Sequence, residues 1–195
     1  MPAAARKPSA GDGRLLLAVL FAVYLVLLVW VVLWKLEVPF VGTGDLRRLK
    51  LAPFTAGGGV SANTPVELGI NVLLFLPFGI YLGLLADRWP WWRAAGVVAG
   101  TSLLFEVAQY VLAIGVADVT DVIVNTAGGL AGFGVLVWAR HGLQERTTAV
   151  LVPICAWGTV LAVLAIVAFV ASPLGYGPQH HAAAPVPQPM VERHP

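Results

Sequence analysis

Long stretches of apolar residues are the feature that most limits how this chain can fold. Residues 15–34 contain no charged side chain, and similar stretches cover residues 66–85, 91–112, 119–139 and 150–171. A helix needs about 20 apolar residues to cross the hydrocarbon core of a bilayer. In lipid, a single stretch can satisfy all its backbone hydrogen bonds only as a helix. The pattern therefore predicts an all-α membrane protein, a polytopic bundle of about five transmembrane helices.

The composition supports a lipid environment and excludes several other classes of protein. Apolar residues make up 58% of the chain and charged residues only 11%, whereas soluble domains carry about 25% charged residues. A net charge of +2 provides no basic surface for nucleic acid, and the single cysteine excludes an intrachain disulfide. Membrane lipids are therefore the first expected partners, and no nucleic acid is expected.

Basic residues in the short loops set the expected orientation. The segments 87–90 and 140–149 contain Arg, whereas residues 113–118 contain neither Lys nor Arg. Because short cytoplasmic loops are enriched in Lys and Arg, the N-terminus is predicted to be cytoplasmic. Residues 1–14 then form a cytoplasmic tail and residues 35–65 an outer loop. Residues 172–195, which are rich in Pro and His, are predicted to be disordered.

Acidic and amide side chains inside three predicted helices are the candidate functional residues. At about 1.5 Å of rise per residue, they fall within roughly 10 Å of the outer boundary in each helix. A carboxylate such as Glu106 needs a polar partner, a water-filled cavity or a proton at this depth. The convergence predicts one site, formed by Asn71, Glu106, Gln109, Asp118, Asp121 and Asn125.

Small and basic residues extend this prediction. Gly128, Gly129 and Gly132 follow the polar residues of the fourth stretch and are predicted to let a neighbouring helix pack closely. Arg47 and Arg48 lie in the outer loop, on the predicted side of the polar residues, where they could contact phosphate groups. For either Arg taken singly, an ordinary solvated surface is slightly favoured.

Four motifs resemble the VanZ-like family of integral membrane proteins. They are RRLKLAPF at 47–54, NVLLFLPFG at 71–79, SLLFEVAQ at 102–109 and ADVTDVIVNTAGGLAG at 117–132. They occur in the family's order within residues 15–140, which identifies this region as a VanZ-like transmembrane domain. The helix at 150–171 is an additional C-terminal helix that inherits nothing from the resemblance.

The resemblance implies a multi-pass protein of the bacterial cytoplasmic (inner) membrane, acting in the cell envelope. The family's namesake is associated with resistance to the lipoglycopeptide antibiotic teicoplanin, but the resemblance implies no reaction. The family often has an Arg shortly before the first Asp of the last motif. This chain has Gly115, Val116 and Ala117 there, which weakens any expectation of an anionic ligand held in the family's usual way.

Three hypotheses for the polar site remain open from the sequence. The first is an outer binding site for an amphiphile, such as an anionic lipid, a cell-wall precursor or the lipoglycopeptide. The second is an enzyme that modifies a lipid or precursor, with Glu106, Asp118 and Asp121 as acid and base or as ligands of Mg²⁺. No other cofactor is evident, since the sequence has no zinc spacing or nucleophile elbow. The third is a structural cluster without a ligand. Binding ranks first, and a homo-oligomer stays open.

Overall fold

The computed structural model describes residues 10–42, 47–57 and 61–172, and these residues contain five α-helices. The helices are α1 (Ala10–Trp34), α2 (Pro65–Leu85), α3 (Trp91–Leu112), α4 (Val119–Leu143) and α5 (Thr147–Ala171). Four segments of the described chain are long and apolar enough to cross a membrane, and the last of them, Val119–Ala171, includes both α4 and α5. The prediction of an all-α polytopic bundle is confirmed. The predicted disorder of the C-terminal tail concerns residues 173–195, which lie outside the described residues.

The fourth and fifth helices are separated by a break at Gln144. The backbone of Gln144 has a φ of 47°, which is not helical. Gln144 is also the first residue of a short 3-10 turn, Gln144–Arg146. The Tyr81 hydroxyl of α2 lies 2.7 Å from Oγ1 of Thr159 and donates to the carbonyl of Cys155 at 3.0 Å. These bonds hold α5 against the bundle.

Helices α2 and α4 make the most extensive contact in the bundle. Their backbones approach closely because a Cβ atom built on Gly128 or Gly132 would overlap the carbonyl oxygens of Val72 and Leu76. Gly129 faces α3 instead. The glycines therefore let α4 lie directly between α2 and α3, as small residues do in other membrane bundles.

Apolar side chains occupy both the interior and the outside of the bundle. Phe75 and Val98 are completely buried, whereas Leu73, Leu104 and Trp157 are each about two-thirds exposed. An outer surface of large apolar side chains would be unfavourable in water but matches hydrocarbon. The bundle is therefore built for a lipid environment.

The segment between α1 and α2 folds back and forms a two-stranded parallel ladder. Strand β1 (Arg48–Lys50) pairs with strand β2 (Val116–Asp118), with Lys50 opposite Asp118. Strand β2 leads directly into α4. The all-α prediction did not include this ladder, which places the outer loop beside the start of α4.

Free carbonyl groups at the end of α3 help to hold the outer loop. The last carbonyls of a helix have no partner within the helix. The N–H of Gly42 donates to the carbonyl of Leu112 at 2.9 Å, and Arg47 donates to the carbonyl of Val111 at 3.2 Å. A Cβ atom at Gly42 would overlap the carbonyl of Ala113, so glycine is required for this approach.

The opposite end of the bundle is rich in arginine. Arg14 donates to the carbonyl of Leu85 at 3.0 Å, and Arg140 donates to the carbonyl of Gly83 at 2.8 Å. Both carbonyls belong to the last turn of α2, where cations are favoured by the helix dipole. Basic side chains therefore gather at the end of the bundle that is opposite the ladder.

Candidate ligand-binding site

A buried ion pair connects the outer loop to the start of α4. Nζ of Lys50 lies 2.8 Å from Oδ2 of Asp118, and both side chains are almost completely buried. The same ammonium group donates to Oδ1 of Asn63. The pair follows from the ladder, because the register sets Lys50 directly opposite Asp118. One of the four cationic side chains of the loop is thus internal.

Asp118 also forms the N-terminal cap of α4. Its Oδ1 accepts a hydrogen bond from the N–H of Thr120 at 2.8 Å, and Oγ1 of Thr120 accepts one from the N–H of Phe54 at 3.1 Å. Burial acts to raise the pKa of Asp118, but the hydrogen bonds from Lys50 and Thr120 outweigh it and hold the pKa below its ordinary value. Asp118 is therefore ionised at neutral pH.

Glu106 of α3 lies beside Asp118, and these two acidic residues form the acidic centre of the site. Its Oε2 accepts a hydrogen bond from the N–H of Asp118 at 2.7 Å, and only 4% of the residue is exposed. Oε1 accepts no hydrogen bond from the residues that the structure describes. Among these residues, Oδ1 of Asn125 is the one fully buried side-chain oxygen or nitrogen without a hydrogen-bond partner.

The three amides of the predicted site hold helices together. Asn71 of α2 donates to Oδ1 of Asp121 at 2.9 Å, and Asn125 of α4 donates to Oγ of Ser102 at 2.8 Å. Gln109 lies apart from these two pairs and donates to the carbonyl of Val32 in α1 at 2.9 Å. The structure thus gives each amide a partner on another helix.

The two arginines of the predicted site lie at the surface of the protein. Arg47 and Arg48 are both exposed, and Arg47 contacts the end of α3 as described above. Arg48 is opposite Val116 in the ladder. Both therefore lie near the acidic centre without entering it.

An apolar groove with a volume of about 310 Å³ opens beside Glu106. Its walls come from β1, from α3 and from the start of α4, and Glu106 and Asp118 are the only charged residues in its lining. Six apolar and aromatic residues form much of the wall, namely Leu49, Leu51, Leu103, Val107, Tyr110 and Val122. Because Leu103 and Val107 are about half exposed on the outside of α3, the groove opens towards lipid.

The described residues contain no group of three or more His, Cys, Asp or Glu side chains placed to hold a metal ion. Both carboxylate oxygens of Asp118 are already bound, one by Lys50 and one by Thr120. Magnesium binding by Glu106, Asp118 and Asp121 stays a prediction.

Four residues take part in this arrangement without having been among the predicted site residues: Lys50, Asn63, Ser102 and Thr120. Two of them carried a usable signal in the sequence. Ser102 precedes Glu106 by one helical turn and so shares its face. Thr120 follows Asp118 in the spacing of a helix cap. Asn63 carried none, because its partner depends on how the loop folds.

The matches to known proteins cover the whole of this site. The VanZ/LLP1 family model matches residues 21–140, which include the ladder, Glu106 and the start of α4. The chain belongs to the VanZ/LLP1 family. This VanZ/LLP1 chain is also similar to Protein VanZ from Enterococcus faecium, with 35% identity over 158 residues, or 80% of this chain and 93% of the relative. No solved structure matches it.

Proposed function

We propose that this VanZ/LLP1 protein is a multi-pass protein of the bacterial cytoplasmic membrane that binds an amphiphile at its outer surface. Binding there lowers susceptibility to teicoplanin-type lipoglycopeptides. The single observation that carries the proposal is the apolar groove, which opens towards lipid and has Glu106 in its lining.

The chemistry of Glu106 favours a ligand over a purely structural role. Its one hydrogen bond comes from a backbone N–H, which a glutamine would satisfy equally well. A carboxylate inside a membrane helix costs about 2.5–3.5 kcal/mol, so an acid without a structural need is expensive. A proton on the second oxygen, or a ligand that binds there, would offset that cost.

The arginine distribution supports an outer location for the groove. Arg14 and Arg140 bind the end of α2 that is opposite the ladder, and Arg88 and Arg93 lie in the adjacent turn and first turn of α3. By the positive-inside rule, the arginine-rich end faces the cytoplasm. The groove then faces the side from which a glycopeptide arrives.

The link to teicoplanin rests on the family. A relative of this chain is Protein VanZ, and the VanZ-like family's namesake is associated with teicoplanin resistance. The proposed occupant is a membrane lipid or a lipid-linked cell-wall precursor. Holding such a molecule in the groove alters what the antibiotic meets at the membrane surface.

The test is expression in a teicoplanin-susceptible bacterium, with the minimal inhibitory concentration and the membrane abundance measured for each variant. We expect the wild-type chain to raise the inhibitory concentration and Leu103→Trp, which fills the groove, to abolish the rise. Leu104→Trp is the matched control, because Leu104 is exposed on α3 but does not line the groove. Full resistance from Leu103→Trp at wild-type abundance would contradict a role for the groove.

The arginines of the outer loop give a second arm of the test. Arg47→Glu with Arg48→Glu reverses the charge of the loop without touching the groove lining. If phosphate contacts at the surface contribute to function, this double variant loses the phenotype. An unchanged inhibitory concentration removes these arginines from the proposal.

A membrane-embedded enzyme is the second candidate, and the position of Glu106 favours it. A carboxylate in the lining of a groove can take a proton from a bound hydroxyl group. Lipid and precursor profiles of cells with the wild type and with Glu106→Gln separate the candidates. A modified species that disappears with Glu106→Gln indicates catalysis, whereas unchanged profiles with lost resistance indicate binding.

Loss of membrane abundance for alanine variants at Glu106, Asp118, Asp121 and Asn125 alike indicates a structural cluster.

A further inference from the structure

We propose that the segment joining α2 to α3 is a binding site for an anionic phospholipid of the cytoplasmic leaflet. This RWPWWR segment (residues 88–93) is exposed at every position except Pro90. It lies at the arginine-rich end of the bundle, whereas the groove lies beside the ladder at the other end. The site is therefore separate from the proposed amphiphile groove and does not depend on it.

The two arginines of the RWPWWR segment have charges that the protein does not neutralise. Arg88 and Arg93 make no side-chain hydrogen bond or ion pair with the described residues, and the guanidinium group of Arg93 lies 5.1 Å from the ring centroid of Trp92. Arg140 adds a third cation beside them, because it donates to the carbonyl of Asp87 at 3.3 Å. Three cations against the one carboxylate of Asp87 leave this surface positively charged.

The three tryptophans of the segment provide hydrogen-bond donors and apolar surface. Trp91 and Trp92 are 65% and 56% exposed, and none of the three indole N–H groups has a partner among the described residues. In α1, by contrast, Trp30 and Trp34 donate to loop carbonyls at 2.8 and 3.0 Å. Tryptophan is enriched at membrane interfaces, where the ring contacts acyl chains and the N–H meets polar groups. The segment therefore has the chemistry of a head-group contact.

An anionic phospholipid matches both parts of this surface. Its phosphate accepts hydrogen bonds from guanidinium and indole groups, and its negative charge complements the arginines. Exposed apolar side chains continue along α3 beyond the tryptophans, including Val97 and Leu104, so acyl chains can contact the same helix. A soluble anion would use the cations but not the apolar surface, and a phospholipid uses both.

The test compares dioleoyl phosphatidylglycerol with dioleoyl phosphatidylcholine, which share their acyl chains and a phosphate group but differ in net charge. The full-length protein in maltoside micelles is mixed with equal amounts of both, and bound lipid is counted by native mass spectrometry. We expect phosphatidylglycerol to bind about tenfold better, since each Arg near an anionic head group contributes roughly fivefold and Asp87 opposes part of this effect. Arg88→Gln with Arg93→Gln should bring the ratio close to equal binding.

Three variants serve as controls. Arg88→Lys with Arg93→Lys keeps both charges and should keep most of the preference. Arg146→Gln should keep it as well, because Arg146 is exposed between α4 and α5, outside the RWPWWR segment. Leu103→Trp, which fills the groove, should also leave the ratio unchanged. Circular dichroism of each variant separates loss of the site from loss of the fold.

Equal binding of the two lipids by the wild type overturns the inference, and so does a preference that survives Arg88→Gln with Arg93→Gln. A preference that is lost only with Arg47→Gln and Arg48→Gln overturns it too, because the charged head group would then bind the outer loop. None of these results bears on the proposed function, which depends on Leu103 and the inhibitory concentration in cells.

Discussion

Replacing Lys50 with methionine leaves a buried carboxylate without its cation. The charged atoms of Lys50 and Asp118 are 2.8 Å apart, and the two side chains are only 0% and 7% exposed. At an effective dielectric constant of about 20, their attraction is about 6 kcal/mol, much of which offsets the loss of hydration. Removing one partner of a buried pair costs about 3–5 kcal/mol. We expect Lys50→Met to lower the free energy of unfolding by this amount.

The assay is unfolding of the purified protein in maltoside micelles by sodium dodecyl sulfate, followed by circular dichroism. The wild type, Lys50→Met, Asp118→Asn and the double variant form a thermodynamic cycle. We expect the double variant to be less destabilised than the sum of the single variants by about 1–3 kcal/mol. Arg48→Met is the control, because Arg48 is exposed on the same strand and its loss should cost at most about 1 kcal/mol.

Two results would refute this reasoning. Additive single effects, within about 0.5 kcal/mol, would mean that the two charges do not stabilise each other. A cost of Lys50→Met no larger than that of Arg48→Met would mean that the ammonium group is hydrated in the folded protein.

Three further perturbations follow from the same structure. Because the pKa of Asp118 is held below its unfolded value, its contribution to stability is fully present above about pH 4 and is lost as the pH falls through the folded pKa. The difference in unfolding free energy between the wild type and Asp118→Asn should therefore shrink below about pH 4, and a difference that grows in acid would contradict this. Gly132→Ala should lower the unfolding free energy by about 1–3 kcal/mol, since its Cβ would overlap the carbonyl of Leu76. Gly134→Ala, with open space on the same helix, should be neutral or slightly stabilising in the same titration, and equal effects of the two would argue against close backbone contact. Tyr81→Phe removes the hydroxyl that binds α5 and should lower the unfolding free energy by about 1 kcal/mol. An unchanged unfolding midpoint would mean that this hydroxyl group does not stabilise the fold.

The helices could be predicted from the sequence because a single segment in lipid can satisfy its backbone hydrogen bonds only as a helix. Hydropathy predicted helices over residues 66–85 and 91–112, and the structure has α2 at Pro65–Leu85 and α3 at Trp91–Leu112. The last helix begins at Thr147, three residues before the predicted start. Two of the three additional residues are threonines, and they continue the helix beyond the apolar stretch, where hydropathy gives no signal.

The acidic centre could be predicted only in part from the sequence. Helical spacing and depth indicated that Glu106, Asp118 and Asp121 lie near one another, because Glu106 and Asp121 are in predicted helices and Asp118 directly precedes one. The partner of Asp118 was not indicated, since a three-residue strand of sequence RLK has no recognisable pattern and pairs with residues far along the chain. A lysine in a polar loop is usually solvated, and only the tertiary pairing buries Lys50.

The distance along the chain between the two strands also determines when the site can exist. Lys50 precedes Asp118 by 68 residues, with α2 and α3 between them. Chains are made from the N-terminus, so Lys50 emerges long before the carboxylate that neutralises it. Until α4 has entered the membrane, the outer loop has no ladder to join and the groove lacks one wall. The groove is therefore completed only late in biogenesis, once α4 has followed α2 and α3 into the membrane.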